Sequence, residues 1–147
     1  CSASAVCTHA GVPLLVSAVD APILRAANLH SFVTGWGQKI DPPARWEDLD
    51  ALGPDVALAG IPFKVYSTPG HTPGSRCLLA GDALFTGDTL MARGVIDSPF
   101  PGADDATLLA SLGDLSNHLE VGSVRIYPGH GDGCSLADAL AAAKVVP

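Results

Sequence analysis

The sequence contains few basic residues, and this shortage argues against one large class of partners. Only eight of the 147 residues are Lys or Arg, whereas 15 are Asp or Glu, so the formal net charge is −7. The eight cations are scattered along the chain rather than clustered. Proteins that bind nucleic acids need a concentrated positive surface to neutralise phosphates. The composition therefore argues against a nucleic-acid partner and against a nuclease.

Cysteine is also sparse, and no long apolar run is present. The four cysteines form neither a C-x-x-C pair nor the spacing of a secreted disulfide scaffold. We therefore predict free thiols in a reducing compartment, which makes the cytoplasm the expected location. The apolar run at 10–19 is short and has no basic leader, and no run is long enough to cross a bilayer. Neither a signal peptide nor a membrane partner is expected.

The sequence alternates strand-like and helix-like segments, in a length suited to one domain. Period-two or short apolar runs predict strands at 13–17, 63–67, 76–79, 83–86 and 124–127. Capping residues and periodicity predict helices at 2–10, 20–27, 104–119 and 136–145, with Asp20, Asp104 and Ser135 at the N-caps. Residues 30–58 lose periodicity and are predicted to form an irregular, partly packed loop. Interleaved strands and helices indicate an α/β or α+β layered domain.

Three short motifs place potential metal ligands directly after strand-like runs. His71 stands in the loop TPGHTPG, Asp88 in LFTGDT and His130 in YPGHG. Proline restricts φ and glycine relieves backbone crowding, so an imidazole in such a loop loses little entropy when it binds a metal. A single PGH is more often a turn with an exposed histidine. Two imidazoles and a carboxylate in this arrangement are the ligand types of a catalytic zinc or iron site.

Other titratable residues have simpler explanations. Asp82 also follows a glycine, but it lies between two short apolar runs and is predicted to be a hairpin turn residue that tolerates positive φ. Asp88 instead leaves a buried strand end, where a carboxylate needs a positive partner such as a metal. His9 and His118 are predicted to be surface residues near helix C-termini, and His30 to serve packing or the surface.

The motifs TPGHT, GD and PGHG, in this order, resemble the third, fourth and fifth metal motifs of the metallo-β-lactamase superfamily. The upstream HxHxDH motif of that family is not in the sequence. Residues 2–13 resemble the helix and Gly-x-Pro that follow it, so we interpret residues 1–147 as a single, N-terminally incomplete domain. The resemblance implies an αββα four-layer sandwich, of which this chain is the C-terminal portion.

The resemblance also implies a function, that of a glyoxalase II-like zinc-dependent hydrolase. Two zinc ions, with iron or manganese as other options, would share a hydroxide that attacks an ester-like bond of a small-molecule substrate, such as a thioester or lactone. His71, Asp88 and His130 would be metal ligands, with Asp88 the bridging catalytic residue. Arg93 is expected at the substrate mouth, where Asp97 is a second possibility and a surface salt bridge an equally good explanation of both.

Two other functions stay open at this point. A persulfide dioxygenase-like oxidoreductase would hold one iron, with ligands that correspond to His71 and Asp88. A non-catalytic, degenerate scaffold would follow if the HxHxDH motif were truly absent from the native protein. For the hydrolase, the 147-residue chain by itself is expected to be inactive, because three ligands that belong to two sites cannot complete either one.

Overall fold

The computed structural model describes residues 3–33, 35 and 45–145. Its main feature is a six-stranded sheet, whose strands lie side by side in chain order. These are β3 (Asp55–Leu58), β4 (Ile61–Ser67), β5 (Arg76–Ala80), β6 (Ala83–Gly87), β7 (Arg125–Pro128) and β8 (Cys134–Ser135). Neighbouring strands are antiparallel except β6 and β7, which are parallel. The predicted strands at 63–67, 76–79, 83–86 and 124–127 all belong to this sheet.

The parallel pair requires a crossover, and helix α4 (Asp105–His118) forms it. Asp104 is its N-cap, and the Asp104 carboxylate accepts a hydrogen bond from the Thr107 N–H at 2.7 Å. Helix α5 (Leu136–Ala142) follows β8, with Ser135 as its N-cap. Both predicted caps are confirmed, although α5 ends at Ala142 rather than near residue 145.

The core lies between the sheet and these two helices. Its residues alternate along the strands, as expected when one face of a sheet is covered. Fully or nearly fully buried side chains come from the sheet (Cys77, Leu84, Ile126), from α4 (Leu112, Leu115) and from α5 (Leu136, Leu140). Burial of this apolar surface is the dominant stabilising contribution to the fold.

The opposite face of the sheet carries partly exposed aromatic rings. Phe85 and Tyr127 stack with ring centroids 5.6 Å apart, and Phe63 lies 6.2 Å from Phe85. Phe85 is 43% exposed and Tyr127 is 44% exposed, although their neighbours Leu84 and Ile126 in the same strands are completely buried. We call Phe63, Phe85 and Tyr127 the aromatic face. No other described layer encloses it.

The N-terminal segment packs beside the main sheet as a smaller unit. Helix α1 (Ala3–Ala10) leads into β1 (Leu14–Val16), which pairs in parallel with β2 (Trp46–Asp48). Helices α2 (Ala21–Arg25) and α3 (Ala27–Val33) lie between them in the chain. Arg76 of β5 connects this unit to the main sheet, because its guanidinium makes two 2.8 Å hydrogen bonds to the Asp50 carboxylate.

Two predictions for this segment differ from the structure. Residues 30–58 are predicted to form an irregular loop, but the structure has regular elements there. These are the end of α3, β2, a 3-10 helix at Asp50–Leu52, and β3. Strand β2 is stabilised by pairing with the distant strand β1, which local periodicity does not reveal, whereas β3 forms an antiparallel hairpin with the neighbouring strand β4. The predicted helix 20–27 is α2, which ends at Arg25. The predicted loop at Pro42 and Pro43 lies outside the described residues.

The structure adds a finding on membrane association. No helix among the described residues combines the length and the apolar character that a membrane span requires.

Candidate metal centre

Asp88 lies between the two histidines that the motifs singled out. Its Oδ2 atom is 3.8 Å from Nε2 of His71, and its Oδ1 atom is 3.6 Å from Nε2 of His130. His71 follows β4, Asp88 follows β6 and His130 follows β7, so the sheet brings the three loops to one edge. The carboxylate therefore presents one oxygen to each imidazole.

These separations fit ligands that share metal ions. Nitrogen and oxygen ligands lie about 2.0–2.2 Å from zinc, and at tetrahedral to trigonal angles two of them are roughly 3.3–3.8 Å apart. Both His–Asp pairs have such a separation. The three side chains do not surround one common point, and no group of three or more His, Cys, Asp or Glu in the described residues could enclose an ion. Asp88 thus lies between two imidazoles, and each His–Asp pair is a candidate half-site.

His71 is the most enclosed of the three residues, with 7% of its side chain exposed. Its ring contacts the Phe100 ring edge-on, with centroids 5.9 Å apart. Burial lowers the pKa of His71 below its ordinary value, and the nearby Asp88 carboxylate opposes this effect only in part. The imidazole is therefore held in the neutral form, which is the form that binds metals.

The Nδ1 atom of His71 is buried and has no hydrogen-bond partner among the described residues. Buried polar atoms are nearly always paired, and a metal-binding histidine usually uses its second nitrogen for a carboxylate, carbonyl or water. This atom is the one orphan of its kind in the part of the chain described here. An unpaired Nδ1 atom fits a metal site in which groups outside the described residues supply the missing partner.

Short contacts join the ligand loops to each other. The Gly129 N–H donates a 2.8 Å hydrogen bond to the Gly87 carbonyl, which ties the His130 loop to the Asp88 loop. A Cβ atom on Gly129 would lie 2.5 Å from Oδ1 of Asp88, so only glycine leaves room for this carboxylate. The first glycine of the PGHG motif is thus needed because it lets the Asp88 carboxylate lie against the backbone, rather than because it is flexible.

Buried hydroxyl groups support the loops from behind. The Oγ1 atoms of Thr68 and Thr89 are 3.4 Å apart, and Thr68 also contacts the Cys77 sulfur at 3.4 Å. Thr68 precedes the His71 loop and Thr89 directly follows Asp88, so this pair links two ligand loops. Sequence reasoning did not single out this role, although both threonines lie inside the motifs.

His130 is much more open than His71, with 74% of its side chain exposed. It lines a cavity of about 400 Å³ together with residues 91–96, Gly131 and Asp132. Arg93 is part of this lining and is exposed, and the structure gives it no ion pair with Asp97 or with another described residue. The cavity adjoins His130, the more exposed of the two candidate ligand histidines.

Asp82 lies apart from this centre. It occupies the turn between β5 and β6, where Ala80 pairs with Ala83, at the opposite end of β6 from Asp88. At about 3.3 Å per residue, the backbone positions of Asp82 and Asp88 are separated by roughly 20 Å of strand. The turn prediction is confirmed, but the residue with positive φ is Gly81 (59°) rather than Asp82.

Sequence comparison connects this geometry to a known family. The sequence model of the Metallo-beta-lactamase superfamily matches residues 9–130, a range that contains all three residues of the candidate centre. The chain belongs to the metallo-β-lactamase superfamily. The resemblance noted from the TPGHT, GD and PGHG motifs is therefore confirmed.

Curated relatives in the superfamily include predicted and named hydrolases. A probable metallo-hydrolase, MJ0888 of Methanocaldococcus jannaschii, is 32% identical over 98 residues, which are 66% of this chain and 47% of that protein. A hydroxyacylglutathione hydrolase of Anaeromyxobacter dehalogenans is 40% identical over 85 residues, which are 56% of this chain and 32% of that protein. The chain thus spans about half, or less, of the length of the curated relatives it matches.

Solved structures confirm the metallo-β-lactamase fold. The crystal structure of TTHA1623 in a di-iron-bound form matches with a TM-score of 0.77 and 30% identity, over 92% of this chain and 66% of that one. The BLEG-1 B3 metallo-β-lactamase matches with a TM-score of 0.75 and 24% identity, over 94% of this chain and 66% of that one. The main sheet, its helices and the N-terminal unit described above are thus part of this α/β fold.

Proposed function

We propose that the full-length protein is a metal-dependent hydrolase that cleaves an ester-like bond, such as a thioester or lactone, in a small-molecule substrate. One observation carries this proposal, namely the position of Asp88, whose two oxygens face different histidines. A bridging carboxylate of this kind suits a two-metal centre. Membership of the superfamily supports the hydrolase class.

Each of the three residues has a distinct task in the proposal. His71, neutral and buried, would hold the enclosed metal, and exposed His130 would hold the second metal beside the cavity. Asp88, whose carboxylate faces both histidines, would be a ligand shared by the two metals. Zinc at such a centre supplies Lewis acidity and a nucleophile at neutral pH. The remaining ligands would come from a part of the full-length protein outside this chain, because the matched residues cover about half the length of the curated relatives.

Names of relatives support the proposed metal and the bond type. A probable polyketide biosynthesis zinc-dependent hydrolase, BaeB of Bacillus velezensis, is 35% identical over 91 residues. The named hydroxyacylglutathione hydrolase supports a thioester as the substrate class. The di-iron form of TTHA1623 keeps iron as an alternative metal. Cys7, Cys77 and Cys134 are free thiols, which supports the cytoplasmic location that we propose.

The test is elemental analysis of the full-length protein together with generic thioester and lactone assays. We expect two metal ions per protein and hydrolysis that Asp88→Asn abolishes, because an amide is a weaker bridging ligand than a carboxylate. Asp82→Asn is the matched control and should leave turnover nearly unchanged. A single iron with oxygen consumption would contradict the proposal and favour the persulfide dioxygenase function. Absence of any bound metal would favour the non-catalytic scaffold.

Arg93 is proposed to orient the substrate in the cavity beside His130. An exposed guanidinium with no partner among the described residues is free to pair with an anionic substrate group. For an anionic thioester, Arg93→Ala should raise KM about tenfold with little change in kcat, whereas a neutral lactone should show no change. Arg45→Ala, which alters an exposed arginine that lies 4.0 Å from Glu47, is the control. Equal effects on both substrates would contradict this role.

A further inference from the structure

We infer that Asp20 is a positioning residue that holds the His71 loop in the conformation needed for metal binding. This inference rests on the proposed role of His71 as a ligand. Asp20 lies in the N-terminal unit, 51 residues before His71 in the sequence. Its carboxylate nevertheless contacts the residues that directly follow His71. Neither the family motifs nor the sequence patterns assign it this task.

Two hydrogen bonds connect Asp20 to the loop. Its Oδ1 atom accepts from the Gly74 N–H at 2.7 Å, and its Oδ2 atom accepts from the Thr72 hydroxyl at 2.5 Å. Both are bonds to a charged acceptor, which are shorter and stronger than bonds between neutral groups. The two oxygens together fix the chain at the first and third residues after His71.

The loop approaches the carboxylate as closely as its backbone allows. A Cβ atom on Gly74 would lie 2.4 Å from the Asp20 carboxyl carbon and 2.6 Å from Oδ1. Any other residue at this position would displace either Asp20 or the loop. The second glycine of TPGHTPG is therefore explained by a contact with a distant residue.

A chain of hydroxyl groups extends the connection through the loop. The Thr72 Oγ1 and Ser75 Oγ atoms are 2.8 Å apart, and Ser75 Oγ accepts from the Thr72 N–H at 3.0 Å. Because the Thr72 hydroxyl donates to Asp20, it is left to accept from Ser75. On its other side, the His71 carbonyl accepts a 2.6 Å hydrogen bond from the Ser98 hydroxyl. His71 is thus held by bonds on both sides, one set of which ends at Asp20.

The usual explanation of Asp20 as a helix cap does not account for these contacts. Asp20 occupies the N-cap position of α2, but its side chain makes no capping hydrogen bond. The short 3-10 helix Ala18–Asp20, which is capped by Ser17, instead turns the carboxylate toward the His71 loop. The predicted position of Asp20 at a helix start is correct, whereas the predicted use of its side chain is wrong.

The first test is metal binding by the full-length protein, with cobalt as a spectroscopic probe of the site. Asp20→Ala should weaken cobalt binding about 10- to 100-fold, which is the usual effect of removing a group that orients a ligand, and should alter the visible spectrum of bound cobalt. Asp20→Asn keeps an acceptor for the Gly74 N–H and should restore part of the affinity. Asp50→Ala is the matched control, because Asp50 anchors the same unit through Arg76 and Ser17 without touching Thr72 or Gly74. Equal weakening by Asp20→Ala and Asp50→Ala would overturn the inference.

The second test requires no metal. The Gly74 amide should exchange its hydrogen at least tenfold faster in metal-free Asp20→Ala than in the metal-free wild type. Gly74→Ala should also lower the unfolding midpoint of the wild type but not that of Asp20→Ala, where the clashing carboxylate is gone. Unchanged Gly74 exchange, or additive effects of the two substitutions, would overturn the inference. If His71→Ala leaves cobalt affinity unchanged, the proposed metal centre fails, and this second test still decides the link between Asp20 and the loop.

Discussion

Asp88 depends on the residues that leave space for it and on those that hold its loop. Its carboxylate is 31% exposed, lies between two imidazoles, and packs against the backbone of Gly129. Because Asp88 belongs to both half-sites, even one added methyl group beside it should weaken metal binding as well as stability.

Gly129→Ala should destabilise the protein by about 1–3 kcal/mol, which is typical of an added methyl group in a filled site. The new Cβ would lie 2.5 Å from Oδ1 of Asp88, so the carboxylate must shift away from His130. Cobalt affinity of the full-length protein should fall with it. The control is Gly113→Ala in α4, where a Cβ meets nothing within 4 Å. That change should stabilise by roughly 0.5–1 kcal/mol. Similar outcomes for the two variants would contradict the steric explanation.

The Cys77 thiol should resist alkylation in the native protein. It is completely buried, and burial raises its pKa to about 11, whereas an unfolded chain has a cysteine pKa near 8.5. At pH 9 the native thiol stays protonated, whereas the thiol of the unfolded chain releases its proton. The contribution of Cys77 to stability is therefore fully present below about pH 8.5 and is lost as the pH rises to about 11. Iodoacetamide with mass spectrometry should modify Cys77 only after urea is added. Partly exposed Cys134 is the comparison, and equal native labelling of both would refute this prediction.

At the scale of elements, α4 both closes the core and connects the two parallel strands. One of its faces contributes Leu108, Leu112 and Leu115 to the interior, while Leu109 on another face is 41% exposed. The helix begins at the Asp104 cap, and the Asp104 N–H donates to the Gly70 carbonyl at 2.9 Å, directly before His71. Packing of this helix is therefore connected to the position of a candidate ligand.

Leu112→Ala should lower the free energy of unfolding by about 2–5 kcal/mol, because a completely buried leucine leaves a cavity. Leu109→Ala, three residues earlier on the same helix, should change it by less than about 0.5 kcal/mol, as is usual at exposed sites. Urea denaturation of both variants measures the difference. Equal losses would show that α4 does not pack as the structure describes.

At the scale of the whole molecule, the described residues leave the aromatic face of the main sheet partly exposed. The aromatic face carries two rings that are more than 40% exposed, and the described residues supply no layer over it. Exposed apolar patches favour association. The 147-residue chain should therefore self-associate in sedimentation experiments, and the double variant Phe85→Ser, Tyr127→Ser should reduce this. Leu109→Ser on the helix side is the control, and an equal reduction by it would contradict a role for the aromatic face.

The same chain should bind metal weakly and should not hydrolyse thioesters or lactones. Zinc sites use three or four protein ligands, whereas each half-site described here has one histidine and a shared carboxylate. Elemental analysis and the two assays, performed on the 147-residue chain beside the full-length protein, measure this. Two tightly bound metals and full turnover in the short chain would show that the ligand set is misassigned.

The sequence by itself determined the family, the main strands and the three candidate ligands, because these depend on short-range patterns. Rigid Pro-Gly loops after apolar strands mark His71 and His130, and the hairpin turn that contains Asp82 separates this residue from Asp88. Tertiary structure alone decided which carboxylate oxygen faces which histidine and what supports the loops. Asp20 and Thr72, for example, are 52 residues apart, and the pairing of β1 with β2 also joins segments that are distant in the sequence. Contacts of this kind arise from packing of the whole chain, so local periodicity and capping patterns do not predict them.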